Sequence, residues 1–304
     1  MNSVLAEDRV RSSSLRSTLA AVVATARPRQ WTKNLLVFGA PAAAGVLFVP
    51  GVLVNATLAF AAFTLAAGGT YLINDVIDAP ADRLHPTKRD RPVAAGILSG
   101  RAAVTFGMGA LALSMGPTLV IGRAGFTATL VAYIALTLSY SLWLKRVEVV
   151  DLVVVASGFA LRAVGGAFSI AVPISRWFLI VTFFGALFVV AGKRFGEQQR
   201  LGSEAGSHRR TLSAYADFYT QHVMTLASGI TLVGYGMWAH DHAYLSAWWF
   251  LASFMVLVMI LLRFALKVHA GASDDPVEIA WTDRPLRVLT LIFLALVMGG
   301  IELG

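Results

Sequence analysis

The chain has 304 residues, of which 57% are hydrophobic and only 14% charged, too little polar material to coat a water-soluble body of that size. A formal charge of +8 comes from 25 basic against 17 acidic side chains, and cysteine is absent. Disulfide frameworks, thiolate metal sites and cysteine nucleophiles are therefore excluded, and a metal must sit on oxygen or imidazole, with hard cations such as magnesium the default.

Residues 1–34 read as an N-terminal arm. The first dozen are expected to be unstructured, and Leu19 to Ala26, too short an apolar stretch for a secretory signal, fits an interfacial helix over about 14–26. Next, Arg27-Pro28-Arg29-Gln30-Trp31-Thr32-Lys33-Asn34 sets three bases, two amides and an indole before the first apolar run. Such residues serve as headgroup anchors or as part of a site. From 35 to 304 the chain reads as a membrane domain. Apolar runs lie near 35–50, 53–73, 103–122, 125–144, 149–168, 177–192, 219–239, 247–266 and 286–303. They are too long and too unalternating for barrel strands, so an all-α integral membrane bundle of nine transmembrane helices is expected.

Basic residues near the segment ends orient this bundle. The arm and the even-numbered connections hold 22 Lys and Arg, the opposite face only Arg123 and Arg176, and Arg162 lies inside a run. The N-terminus is thus expected in the cytoplasm and the C-terminus outside, with long cytoplasmic loops at about 74–102 and 193–218.

The 74–102 loop opens with Asn74, Asp75, Asp78 and Asp82, after which come Lys88, Arg89 and Arg91. On a continued helix the four oxygen-bearing side chains share one face, and their mutual repulsion is relieved by a cation. A magnesium ion bridging to substrate phosphates is the natural occupant, with the bases taking phosphate oxygens. Pro80 complicates the helix between Asp78 and Asp82. In the 193–218 loop, Arg194, Glu197 and Arg200 stand three apart behind Lys193, as an ion-pair ladder or as another wall of an anion pocket. Asp151 and Arg162, inside the fifth run, are about three turns apart, so each needs a partner elsewhere. Tyr140 and Lys145 fall in the same cytoplasmic layer.

These residues resemble the UbiA-type superfamily of intramembrane prenyltransferases. Asn74 to Asp82 matches its first motif, N-D-x-x-D-x-x-x-D, and Pro86, Arg89, Arg91-Pro92 and Gly96 match the residues usual just beyond that motif. The resemblance implies a nine-helix bundle with aspartate-rich motifs after helices two and six. The second motif departs: where aromatic-acceptor members show D-x-x-x-D, this chain has Lys193, Arg194, Glu197 and Arg200. One acid among bases suits a donor with a phosphate besides its diphosphate. The chain is similar to the actinobacterial branch that transfers phosphoribosyl groups, and Arg27 to Asn34, Tyr140 to Lys145 and Lys193-Arg194 fit that branch. The implied reaction moves 5-phosphoribosyl from phosphoribosyl diphosphate to a polyprenyl (decaprenyl) phosphate, toward arabinose donors of the cell wall.

On this reading Asn74, Asp75 and Asp78, with Asp82, hold Mg2+. Substrate contacts fall to Arg29, Lys33, Asn34, Lys88, Arg89, Arg91, Tyr140, Lys145, Arg162, Lys193, Arg194, Glu197 and Arg200. The setting is the plasma membrane, with the site facing the cytoplasm. Nucleic acid is not an expected partner, and self-association into a homo-oligomer is left open. The alternatives are an aromatic prenyltransferase of quinone or haem synthesis, which ionises an allylic diphosphate at the same metal site, and a transporter, which needs polar groups threading to the outer face.

Overall fold

Small residues line the inner faces of the long helices and large ones point outward, the reverse of a water-soluble core. In α3 (Pro50–Asp82) the buried face runs through Ala56, Ala59, Ala62, Ala66, Ala67, Gly68 and Gly69, while Leu119, Trp248 and Phe48 elsewhere are 84%, 81% and 71% exposed. Without a hydrophobic drive between helices in lipid, close backbone approach supplies the packing.

The computed structural model describes residues 17–201, 211, 215, 217–242, 247–271 and 275–302. The expected unstructured start and most of the expected loop beyond residue 201 lie outside the described residues. Helix α1 covers 17–25, within the expected 14–26. After it, Pro28–Phe38 forms an eleven-residue 3-10 helix that passes into α2 (Gly39–Ala43). The rest is helical too: α3, then α4 (Gly100–Ser114), α5 (Gly116–Ile121), α6 (Ala124–Leu142), α7 (Val150–Ile170), α8 (Arg176–Leu201), α9 (Asp217–His242), α10 (Ala247–His269), α11 (Pro276–Thr282) and α12 (Arg284–Glu302). There are no strands among the described residues.

Seven helices are long and apolar enough to cross a membrane, with α4 and α5 counted as one; the chain is a multi-pass membrane protein. The two other expected spans differ from a uniform apolar helix. The run at 35–50 is broken, since α2 has five residues and Gly45, at φ 68, turns the chain before α3. Helix α9 has 26 residues, but Thr220, Gln221, His222, Thr225, Ser228 and Thr231 dilute its apolar character.

Two expected loops begin as helix. At 33 residues α3 is about 50 Å long, beyond the roughly 30 Å of a hydrocarbon core, so Asn74 to Asp82 ride its projecting end and Pro80 does not stop it. Helix α8 likewise carries Lys193 to Arg200 as its last turns. The connection from 83 to 99 is tied by Arg83 Nε to the Ala94 carbonyl (3.2 Å) and Leu98 N to the Pro92 carbonyl (2.9 Å), and Ser99 caps α4.

Two contacts set the geometry around the site. An added Cβ at Gly69 would lie 2.7 Å from the Gly107 carbonyl, so α3 and α4 cross there backbone to backbone. One at Gly166 would lie 2.0 Å from the Val37 carbonyl, so the 3-10 segment lies directly on α7. Phe63, Phe126 and Tyr133 fill the space between α3 and α6 with edge-on ring contacts.

Candidate active site

At the projecting end of α3, the helical period separates the acids into two groups. Asn74 Nδ2 donates to Asp78 Oδ2 at 3.0 Å, an i,i+4 contact, and Asp78 also pairs with Lys145 beyond the end of α6. Asp75 and Asp82, both buried, share Arg91, whose Nη1 lies 3.4 Å from Asp75 Oδ1 and 2.7 Å from Asp82 Oδ2. Asp75 also pairs with Arg27. Arg27 stands before the 3-10 segment at φ 54, a left-handed conformation costing an L-residue roughly 1–2 kcal/mol. Its guanidinium lies 4.9 Å from the Tyr71 ring centroid, adding a cation–π contact of about 0.5–1 kcal/mol or more to the ion pair.

A second layer lies deeper. Arg162 donates from Nε to Asn34 Oδ1 at 2.6 Å, from Nη1 to the Gly158 carbonyl at 2.8 Å and from Nη2 to the Tyr133 hydroxyl at 2.8 Å. Its guanidinium stacks on Tyr133 and Phe159. Asp151 meets Arg194 Nε at 3.2 Å, the Tyr215 hydroxyl at 2.6 Å and Thr211 Oγ1 at 3.5 Å. Arg194 reaches on to Glu197 at 3.0 Å and the Tyr140 hydroxyl at 3.2 Å. Burial and the hydrogen bond to Asp151 push the Tyr215 hydroxyl up. The partners required for Asp151 and Arg162 are thus Arg194 and Asn34, not each other.

A cavity of about 1750 Å³ joins these layers. Of the expected site residues, Lys33, Asn74, Asp78, Asp82, Lys88, Arg91, Tyr140, Lys145, Arg162, Lys193, Arg194, Glu197 and Arg200 line it. Asn34 and Asp75 are buried behind its wall and act through Arg162, Arg27 and Arg91. Arg29 and Arg89 do not line it. The wall continues through Val154, Val155, Phe159, Phe188, Val189, Ile260, Leu261, Phe264, Trp281 and Leu291, an apolar surface from α7, α8, α10, α11 and α12. Burial and the neighbouring Lys193, Arg162 and Arg27 push the Lys33 ammonium down to about 7, against the pull of Asp275.

The structure adds cavity residues that the sequence reading did not assign: Arg27, Gln30, Tyr71, His85, Tyr133 and Asp275. Gln30 Nε2 donates to Asp275 Oδ2 at 3.0 Å, joining the arm to the start of α11. Arg27 was visible as a base with no carboxylate beside it in sequence; Tyr133 lay unmarked within an apolar run.

Among the described residues no three acidic or imidazole side chains converge tightly enough to hold a metal by themselves. The donor set nevertheless fits a hard divalent cation. Asp78 and Asp82, with the amide oxygen of Asn74, offer oxygen ligands to one edge of the cavity, and the two carboxylates are now paired with Lys145 and Arg91, side chains suited to phosphate oxygens.

The sequence pattern of the UbiA prenyltransferase family matches residues 35–297. The chain is 39% identical to the decaprenyl-phosphate phosphoribosyltransferase of Mycobacterium tuberculosis, over 94% of this chain and 96% of that protein. It is 35% identical to the protein of that name from Corynebacterium glutamicum, over 95% and 89% of the two chains. In fold it is similar to a UbiA homologue from Archaeoglobus fulgidus solved with GPP and Mg2+, with a TM-score of 0.69 at 18% identity, covering 93% of this chain and 99% of that one. A motif on the end of a long helix, a bundle of matching fold and a family pattern spanning most of the sequence agree: the chain belongs to the UbiA prenyltransferase family.

Proposed function

We propose that the protein transfers a 5-phosphoribosyl group from phosphoribosyl diphosphate to a long polyprenyl phosphate such as decaprenyl phosphate, releasing diphosphate, as a step toward cell-wall arabinose donors. The observation that carries this reading is a single cavity with an oxygen-rich, cation-rimmed edge at α3 and a long apolar wall across α7, α8, α10 and α12. A soluble polyphosphate and a lipid can meet there. The near full-length likeness to proteins named for this activity points the same way.

Asn74, Asp78 and Asp82, with Asp75 behind them, would hold Mg2+, which when bound neutralises charge on the departing diphosphate. Arg27, Arg91 and Lys145 would exchange their carboxylates for phosphate oxygens, with Lys88 lining the same cavity, so that positive charge is in place where negative charge grows. The C1–O bond to diphosphate breaks, and an oxygen of the lipid phosphate forms the new bond to C1. That oxygen is already anionic, so no general base is needed. Arg194, held by Asp151, Glu197 and Tyr140, keeps the α7–α8 wall in register, while Lys193 and Arg200 line the cavity where a second phosphate would bind.

We further propose nine membrane crossings, with the run at 35–50 and α9 completing the set, the N-terminus and site in the cytoplasm and the C-terminus outside. The lopsided distribution of Lys and Arg supports this orientation. Mass spectrometry of the lipid formed by purified protein supplied with phosphoribosyl diphosphate plus decaprenyl phosphate, or with a prenyl diphosphate plus an aromatic acid, tests the chemistry. A product only from the second pair sinks the proposal; Mg2+-dependent turnover without flux in proteoliposomes disposes of transport.

A further inference from the structure

We propose that Lys33 and Lys193 form the seat for the phosphate monoester of the lipid acceptor, separate from the α3 edge that takes the donor's diphosphate. This rests on the phosphoribosyl transfer proposed above and names the place of its second substrate. The cations around the cavity are of distinct kinds. Arg27, Arg91 and Lys145 face the carboxylates of α3, and Arg194 faces Asp151 and Glu197. Arg162 already donates to Asn34, Gly158 and Tyr133. Lys33 and Lys193 are half-buried, line the same cavity and form no ion pair among the described residues. Arg146 and Arg287 line it too, but they are exposed to solvent.

Two ammonium groups confined in one partly dry cavity repel each other until an anion joins them. Burial first, and Lys193 next, hold Lys33 low against the pull of Asp275, and a bound anion would restore its charge. The anion's class is set by its surroundings. Lys33 Nζ is 5.8 Å from the centroid of the Phe159 ring, and the Arg162 guanidinium is 5.5 Å from the same centroid. Phe159 belongs with Val155 and Phe188 to the apolar wall. A phosphate at the lysines therefore has hydrocarbon surface next to it, which an amphiphile uses and a sugar phosphate does not. The monoester held there presents an anionic oxygen to C1 as the bond to diphosphate breaks, and no proton has to move.

The full-length protein in nanodiscs with Mg2+ provides the test. Lys33→Gln and Lys193→Gln should each raise the KM for farnesyl phosphate by about tenfold or more, as expected for losing a charged hydrogen bond, with the KM for phosphoribosyl diphosphate moving less than about twofold. Lys33→Arg should restore most of the loss. Without donor, the wild type should bind farnesyl phosphate at least about tenfold more tightly than farnesol, and the double variant should lose that preference while still binding farnesol, which shows an intact fold. An unchanged acceptor KM with an unchanged preference for phosphate overturns the proposal, and so does a rise in donor KM alone, which would put the lysines with the sugar. If the wild type makes no phosphoribosyl lipid but keeps a lysine-dependent preference for farnesyl phosphate, the transferase reading falls and the seat stands.

Discussion

Asp78 touches both Asn74 and Lys145 at the edge of the cavity, so replacing one of its oxygens with an amide alters the charge there without altering volume. Asp78→Asn, and likewise Asp75→Asn, should lower kcat by at least about a hundredfold while the purified protein stays monodisperse; activity within a few-fold of wild type removes them from the metal role. Chelation with EDTA should abolish turnover, with recovery on added Mg2+. A different effect is expected at Asn34, whose loss leaves Arg162 Nε without its acceptor in a buried position. Asn34→Leu should destabilise the protein by about 1–3 kcal/mol, seen as a lower unfolding midpoint in detergent. Lys33 adds a pH dependence. Its free-protein value is about 7, and an anion binds its protonated form and raises that value. Affinity for a prenyl monophosphate should therefore be greatest near pH 7 and fall as pH rises toward 9, where the ligand is already a dianion. Lys33→Arg should flatten the profile in a binding titration.

The helix ends carry the candidate site residues because α3 and α8 run further than their apolar runs. The aspartates were legible in sequence, since spacings of three, four and seven residues bring them to one face of a helix whether or not its end is known. Their division into Asn74 with Asp78 and Asp75 with Asp82 was not legible, because Lys145, Arg27 and Arg91 come from other parts of the chain. Asp151 and Arg162 announced themselves as charges within an apolar run, yet their partners lie 43 and 128 positions away, and no local pattern encodes such a pairing. The first apolar run does not form one uniform helix, and the reason is physical: composition reports length and hydropathy, whereas Gly45 and the press of Val37 on Gly166 decide whether the backbone continues as one helix. Gly166→Ala should force the 3-10 segment off α7 and cost at least about 1–3 kcal/mol, with poor recovery of folded protein from membranes; wild-type yield and activity would show that the contact can relax.

At the scale of the whole molecule, the charge asymmetry makes a prediction that a cysteine-free chain is well suited to test. Thr87→Cys should react with a membrane-impermeant thiol reagent only from the cytoplasmic side and Ser175→Cys only from the outside, and the reverse result would invert the proposed orientation. The 3-10 segment has its own consequence for how the halves of the molecule are held. With three residues per turn and a rise of about 2 Å per residue, Gln30 and Lys33 lie one above the other roughly 6 Å apart, with Arg27 just ahead of the first turn; wound as an α-helix, the two would be about a sixth of a turn out of line. Each rung reaches a different region: Arg27 meets α3, Gln30 the start of α11 and Lys33 the Phe159 ring of α7. The segment is thus a ruler laid across the cavity, and under the placements proposed for the donor and the lipid phosphate, its winding sets how far apart the two reactants are presented.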